Sequence, residues 1–149
     1  SASIGAYFTL IALVTGMIWG KPTWGTYWVW DARLTSELIL LFLYVGIIVL
    51  YSAFNDKRQA VKITSLLAIV GLINIPIIHY SVEWWNTLHQ GPTITKFDKP
   101  SAHITMLLPL LYMFIVFNIY FLTVIIKRVR LGIYMREKNN KWMEEYLND

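Results

Sequence analysis

Four long apolar runs divide this chain, over about residues 2–19, 34–54, 61–80 and 104–126. Each is apolar all round rather than along one stripe, which is the pattern of helices in lipid and not of the surface helices of a soluble bundle. The second run covers about 31 Å at the helical rise, close to the thickness of a bilayer's hydrocarbon. Asn74 and Pro76 interrupt the third. The pattern predicts a kink at Pro76 and, for the Asn74 amide, a partner inside the bundle. The expected fold class is therefore an all-α integral membrane protein with four transmembrane helices. Residues 1–126 form its polytopic domain and 127–149 a basic tail.

The polar segments between the runs set an orientation. The short turn after the second run carries Lys57 and Arg58, followed by Lys62; the tail opens Lys127-Arg128-Val129-Arg130 and adds Arg136, Lys138 and Lys141. These lie on one side of a four-span topology. The other two connections, 20–33 and 81–103, hold Lys21, Arg33, Lys96 and Lys99, offset by Asp31, Glu83 and Asp98. The positive-inside rule then makes the short turn and the tail cytoplasmic and turns the other two loops outward. From Leu131 to Asp149 the tail reads as a polar, mildly amphipathic helix suited to a membrane surface.

Composition narrows the chemistry. The 149 residues are 56% hydrophobic and 15% charged, with a mean hydropathy of +0.50 and a net charge of +4. A soluble domain is about 45–50% apolar and about 25% charged. There is no cysteine, so disulfides, thiolate metal sites and cysteine nucleophiles are excluded. No glycine-rich phosphate loop is present, so the sequence offers no ATPase site. No nucleophile–base pair stands out, and the spans lack a central acid or base, which disfavours a proton-coupled transporter. The chain starts at Ser1, almost directly on an apolar run, and reads as a fragment or a processed chain.

The outward loops are aromatic. The first holds Trp24, Tyr27, Trp28 and Trp30; the second follows Tyr80 with Trp84, Trp85 and then His89. Trp24 and Trp28 share a face if the stretch is helical, and Trp28 and Trp30 if it is extended. Gly20 and Gly25 permit tight bends and a close approach to the backbone. Such clusters arise simply because amphipathic rings favour a membrane interface. The density of tryptophan in one loop, its recurrence in the second and the nearby imidazole favour a platform for a flat ligand. One histidine cannot close a zinc site, but one or two axial histidines suffice for haem iron, whose porphyrin supplies the other ligands. His79 and His103, at helix ends, read more simply as hydrogen-bonding groups. Asp31 is placed to N-cap the second helix. Arg33 either snorkels or, like Lys21, pairs with the carboxylates of an anionic ligand.

The run Trp24-Gly25-Thr26-Tyr27-Trp28-Val29-Trp30-Asp31 resembles the tryptophan-rich "WWD" motif of haem-handling proteins of cytochrome c biogenesis. The continuation Ala32-Arg33-Leu34-Thr35-Ser36-Glu37-Leu38 and the stretch Asn74-Ile75-Pro76-Ile77-Ile78-His79-Tyr80-Ser81-Val82-Glu83-Trp84-Trp85-Asn86-Thr87-Leu88-His89 narrow the resemblance to the cytochrome c maturation protein C (CcmC) family. The resemblance implies an inner-membrane protein of six helices, of which these would be the last four. The loop with the family's first flanking histidine would then be missing here. It implies a non-covalent, transiently held b-type haem on the outward face, with Trp24, Gly25, Trp28, Trp30 and Asp31 as platform and His89 as an axial ligand. Arg33, Trp84 and Trp85 complete the candidate site. The implied partners are the haem chaperone CcmE, the ABC-type subunits CcmA and CcmB, and the small subunit CcmD. The implied location is a bacterial inner membrane or its mitochondrial counterpart. The leading reading is a haem-binding and transfer subunit, not an enzyme, that hands haem to the chaperone. The alternative is a scaffold or assembly subunit of an ABC-type complex that binds no ligand.

Overall fold

The computed structural model describes residues 1–85, 87–91, 100–137 and 140. Four helices account for most of them: α1 (Ala2–Trp24), α2 (Ala32–Ala53), α3 (Lys57–Trp84) and α4 (Ile104–Glu137). There is no strand among the described residues. All four helices are long and apolar enough to cross a membrane. The chain divides into two compact units, Ser1–Phe97 and Asp98–Asp149.

In the first unit α2 is central and packs on both α1 and α3. The helices run antiparallel. The Tyr44 ring of α2 lies over Gly5 of α1, and Leu43 of α2 meets Gly71 of α3. Small and polar residues fill the contacts: Thr9, Ser36, Ala60, Thr64, Asn74 and Ser81 are all buried. Small side chains let backbones approach in a medium where apolar burial does not drive helices together. The hydroxyls of Thr9, Ser36, Thr64 and Ser81 are satisfied by carbonyls one turn back in their own helices. The Asn74 amide finds its partner across the interface, donating to the Ser36 carbonyl at 2.8 Å. α3 runs unbroken through Pro76.

Boundaries of α1, α3 and α4 depart from the hydrophobic pattern, and α3 starts at Lys57, inside the predicted short turn, rather than at about residue 61. α1 continues past residue 19 to Trp24, through Pro22. Pro22 removes the helical donor to the Ile18 carbonyl, yet the helix continues, and one residue on the Thr23 hydroxyl donates to the Trp19 carbonyl at 2.8 Å. The predicted 20–33 loop is thus only 25–31 in the structure. α3 likewise extends past residue 80 to Trp84, where Trp85 N–H bonds the Ser81 carbonyl at 3.1 Å.

The second unit is built on α4. Its 34 residues continue well beyond residue 126, into the segment read as the start of the tail. At about 51 Å it exceeds the hydrocarbon thickness by about four turns, so an apolar run measures a span and not a helix. His103 caps its start, with Nδ1 accepting from Thr105 N–H at 3.4 Å and its carbonyl taking Leu107 N–H at 3.1 Å. The remainder of the predicted tail, 138–149, lies outside the described residues apart from Asn140.

Candidate functional site

The centre of the site is where the end of α1, the start of α2 and the segment after α3 converge. Gly25 ends α1 in a left-handed conformation (φ 78°), which only glycine adopts without strain. Lys21 reaches forward, its ammonium donating to the Gly25 carbonyl at 3.1 Å and lying 5.1 Å from the Tyr27 ring. Lys21 is therefore used as a helix C-cap rather than left open toward a ligand. Trp24 closes the helix. A Cβ on Gly20 would lie 3.1 Å from its ring, so glycine at 20 makes room for the indole to fold back.

Asp31 starts α2 and does two things at once. Its Oδ1 accepts the Leu34 N–H at 2.8 Å, the expected N-cap. Its Oδ2 lies 2.7 Å from His89 Nδ1, across 58 residues of sequence. The pair is well covered, with 5% of the Asp31 side chain and 16% of that of His89 exposed. A carboxylate accepts, so Nδ1 donates in this bond, and in the neutral imidazole Nε2 then carries the lone pair. A carboxylate behind one ring nitrogen and a lone pair on the other is how metal-binding histidines are oriented and made more basic.

The Trp24 ring packs edge-on against the His89 imidazole, centroids 4.6 Å apart at 71°, and Trp19 packs on Trp24 at 5.3 Å. A cavity of about 460 Å³ opens beside them, lined by Trp19, Trp24, Arg33, Glu37 and His89 together with small residues of α1. The aromatic stretch does not form one shelf. Trp24 belongs to the His89 group, while Trp28 and Trp30 pair separately in an edge-on contact at 5.3 Å, the arrangement expected for extended backbone. Trp30 is 76% exposed. The Trp28 indole N–H is buried and has no partner among the described residues.

Trp84 and Trp85 belong to a third group. The Trp84 ring stacks on Tyr80 at 5.5 Å, Trp85 meets Trp84 edge-on, and the His79 ring packs on Tyr80. Both tryptophans are more than half exposed. They form a separate aromatic ladder at the end of α3. Glu37 is a wall of the cavity that the sequence did not single out. Its spacing of four from Arg33, on one helix face, is the signal that would have found it. The Asp31–His89 contact carries no local signal at all.

A family model, Heme exporter protein C, matches residues 1–144. Heme exporter protein C of Haemophilus influenzae is 52% identical over 143 residues, covering 96% of this chain and 58% of the relative. That of Escherichia coli K12 is 53% identical over 146 residues, covering 98% and 58%. A putative cytochrome c biosynthesis ccmC-like mitochondrial protein of Marchantia polymorpha is 48% identical over 144 residues, covering 93% and 59%. The chain thus spans under three fifths of the length of these curated relatives. With its family model matched along nearly the whole chain and relatives above 50% identity, the protein belongs to the CcmC family, heme exporter protein C.

Proposed function

We propose that this chain carries the haem-receiving half of a cytochrome c maturation subunit, and that His89 Nε2 is an axial ligand to the haem iron. The observation that carries the reading is the Asp31–His89 pair, which commits Nδ1 to the carboxylate and leaves Nε2 for a metal. The surroundings suit the same cargo. Trp24 and Trp19 offer aromatic surface beside the imidazole, and Arg33 lines the same cavity with a guanidinium suited to a propionate. The unpaired Trp28 indole N–H is a further donor for an acceptor on the cargo or on a partner. Gly25 supports this site through the turn it permits, while Trp30, Trp84 and Trp85 stand outside the cavity lining.

The protein is a binding and transfer subunit rather than an enzyme. It holds b-type haem non-covalently and passes it to the chaperone CcmE, working with CcmA, CcmB and CcmD. By charge asymmetry the site faces the periplasm of a bacterial inner membrane, or the equivalent side of a mitochondrial one, and the basic end of α4 faces the opposite compartment.

The test is the optical spectrum of the full-length protein. His89→Ala weakens the Soret band, and the Trp24/Trp28/Trp30 triple alanine variant loses haem or fails to load the chaperone. An unchanged haem content in His89→Ala removes His89 from the site. Normal loading by the triple variant returns the tryptophans to a lipid-anchoring belt.

A further inference from the structure

A second cavity, of about 400 Å³, lies on the other flank of α2, between that helix and α3. Arg33, Glu37 and Leu40 line it from α2, and Ile75, Ile78, His79 and Val82 from α3. Each set follows helical spacing, so one face of each helix makes one wall. The groove descends about 10 Å along α2 from Arg33 to Leu40, from charged lip to apolar floor. The lip bears both signs of charge, with an imidazole opposite. Among the described residues the ion pairs are His89–Asp31 and Arg136–Glu137, so Arg33 and Glu37 face this space without closing on each other.

From this geometry we infer that the α2–α3 groove is a binding site for a phospholipid with a zwitterionic, ammonium-bearing head group, phosphatidylethanolamine. The phosphate pairs with Arg33 and takes a hydrogen bond from His79; the ammonium pairs with Glu37; the glycerol region and first methylenes of one chain lie on Ile75, Ile78 and Leu40. Charge complementarity selects the head group. A net-anionic head such as phosphatidylglycerol gains Arg33 but meets the Glu37 carboxylate with nothing to offset it. Both cavities share Arg33 and Glu37 across the width of α2, so a lipid phosphate here and a haem propionate in the other cavity would draw on the same guanidinium.

Native mass spectrometry of the delipidated full-length protein, titrated with phosphatidylethanolamine and phosphatidylglycerol in parallel, tests the inference. The wild type retains one tightly held phosphatidylethanolamine in preference to phosphatidylglycerol. Ile78→Trp, which fills the groove floor, loses that adduct while haem content by Soret absorbance is unchanged. Glu37→Gln, close to isosteric, lowers the preference for phosphatidylethanolamine by about fivefold, the scale of one half-exposed charge pair. Equal retention of the two lipids by the wild type overturns the proposal, as does an undiminished preference in Glu37→Gln. Retention of the adduct by Ile78→Trp also overturns it, by placing the lipid outside the groove.

Discussion

Replacing Asp31 separates its two duties, because asparagine preserves one and alanine neither. Asparagine and aspartate cap helices about equally well, whereas alanine at an N-cap costs about 0.5–2 kcal/mol. The bond to His89 is well covered and involves a charged acceptor, the class whose loss costs about 1.5–3 kcal/mol. Asp31→Ala is therefore expected to destabilise the protein by about 2–5 kcal/mol, the sum of the two losses. Asp31→Asn keeps its one amide oxygen on the Leu34 N–H and turns its NH2 toward Nδ1, which can then only accept, with the ring proton moved to Nε2; a neutral bond replaces the charged one, so stability falls by about 1 kcal/mol. Haem affinity behaves differently. The amide carries no charge to raise the basicity of Nε2, and loss of such a supporting carboxylate costs about 10–100-fold in metal affinity. Thermal unfolding of the full-length protein in detergent, followed by circular dichroism, reads the first effect. Haem titration at the Soret band reads the second. A near-native melting curve with weakened haem binding is the expected signature of Asp31→Asn. Wild-type haem affinity in that variant refutes the argument that the carboxylate supports His89 as a ligand.

Other consequences follow from single features of the fold. Gly25→Ala meets no neighbouring atom yet must adopt φ 78°, so it costs about 1–2 kcal/mol through the backbone alone and displaces Trp24; melting temperature and haem content both fall. Asn74→Leu removes the donor to the Ser36 carbonyl and destabilises the α2–α3 contact by about 0.6–1.7 kcal/mol, readable by denaturant titration in detergent micelles. Lys21→Ala removes a helix C-cap rather than a ligand contact, so it lowers stability by about 0.3–1 kcal/mol without changing haem affinity.

The elements themselves were legible in the chain. Apolar runs of bilayer length announced four helices, Asp31 announced the start of α2, and Asn74, alone among apolar neighbours, announced a polar contact between helices. What hydropathy could not give was where the helices stop. α1 passes Pro22, beyond the end of the apolar run, and stops only where Gly25 takes the left-handed conformation. α4 outruns its apolar segment because Lys, Arg and Glu are good helix formers, and solvation of their side chains does not oppose the helix.

The site was legible in its parts and not in its assembly. His89 and the tryptophans were visible as residue types suited to haem. That Trp24 joins His89 while Trp28 and Trp30 pair apart depends on the Gly25 turn, which redirects the chain between them. The second duty of Asp31 depends on the return of the chain after α3, and no local pattern encodes a contact across 58 residues. Trp84 and Trp85 looked equivalent to the first cluster because both lie near His89 in sequence. The stacking of Trp84 on Tyr80 follows instead from helical spacing on α3, which extends far enough to take Trp84 into its last turn, and Trp85 meets Trp84 edge-on.

The central claim is that His89 Nε2 binds haem iron while Nδ1 is held by Asp31. Resonance Raman spectroscopy of the ferrous full-length protein, comparing wild type, His89→Gly and His89→Gly with added imidazole, addresses it most directly. The account predicts an iron–histidine stretch assignable to His89 that is lost in the glycine variant and regained, at a shifted frequency, when free imidazole enters the vacated space. An iron–histidine signature identical in wild type and His89→Gly, indifferent to imidazole, would contradict it.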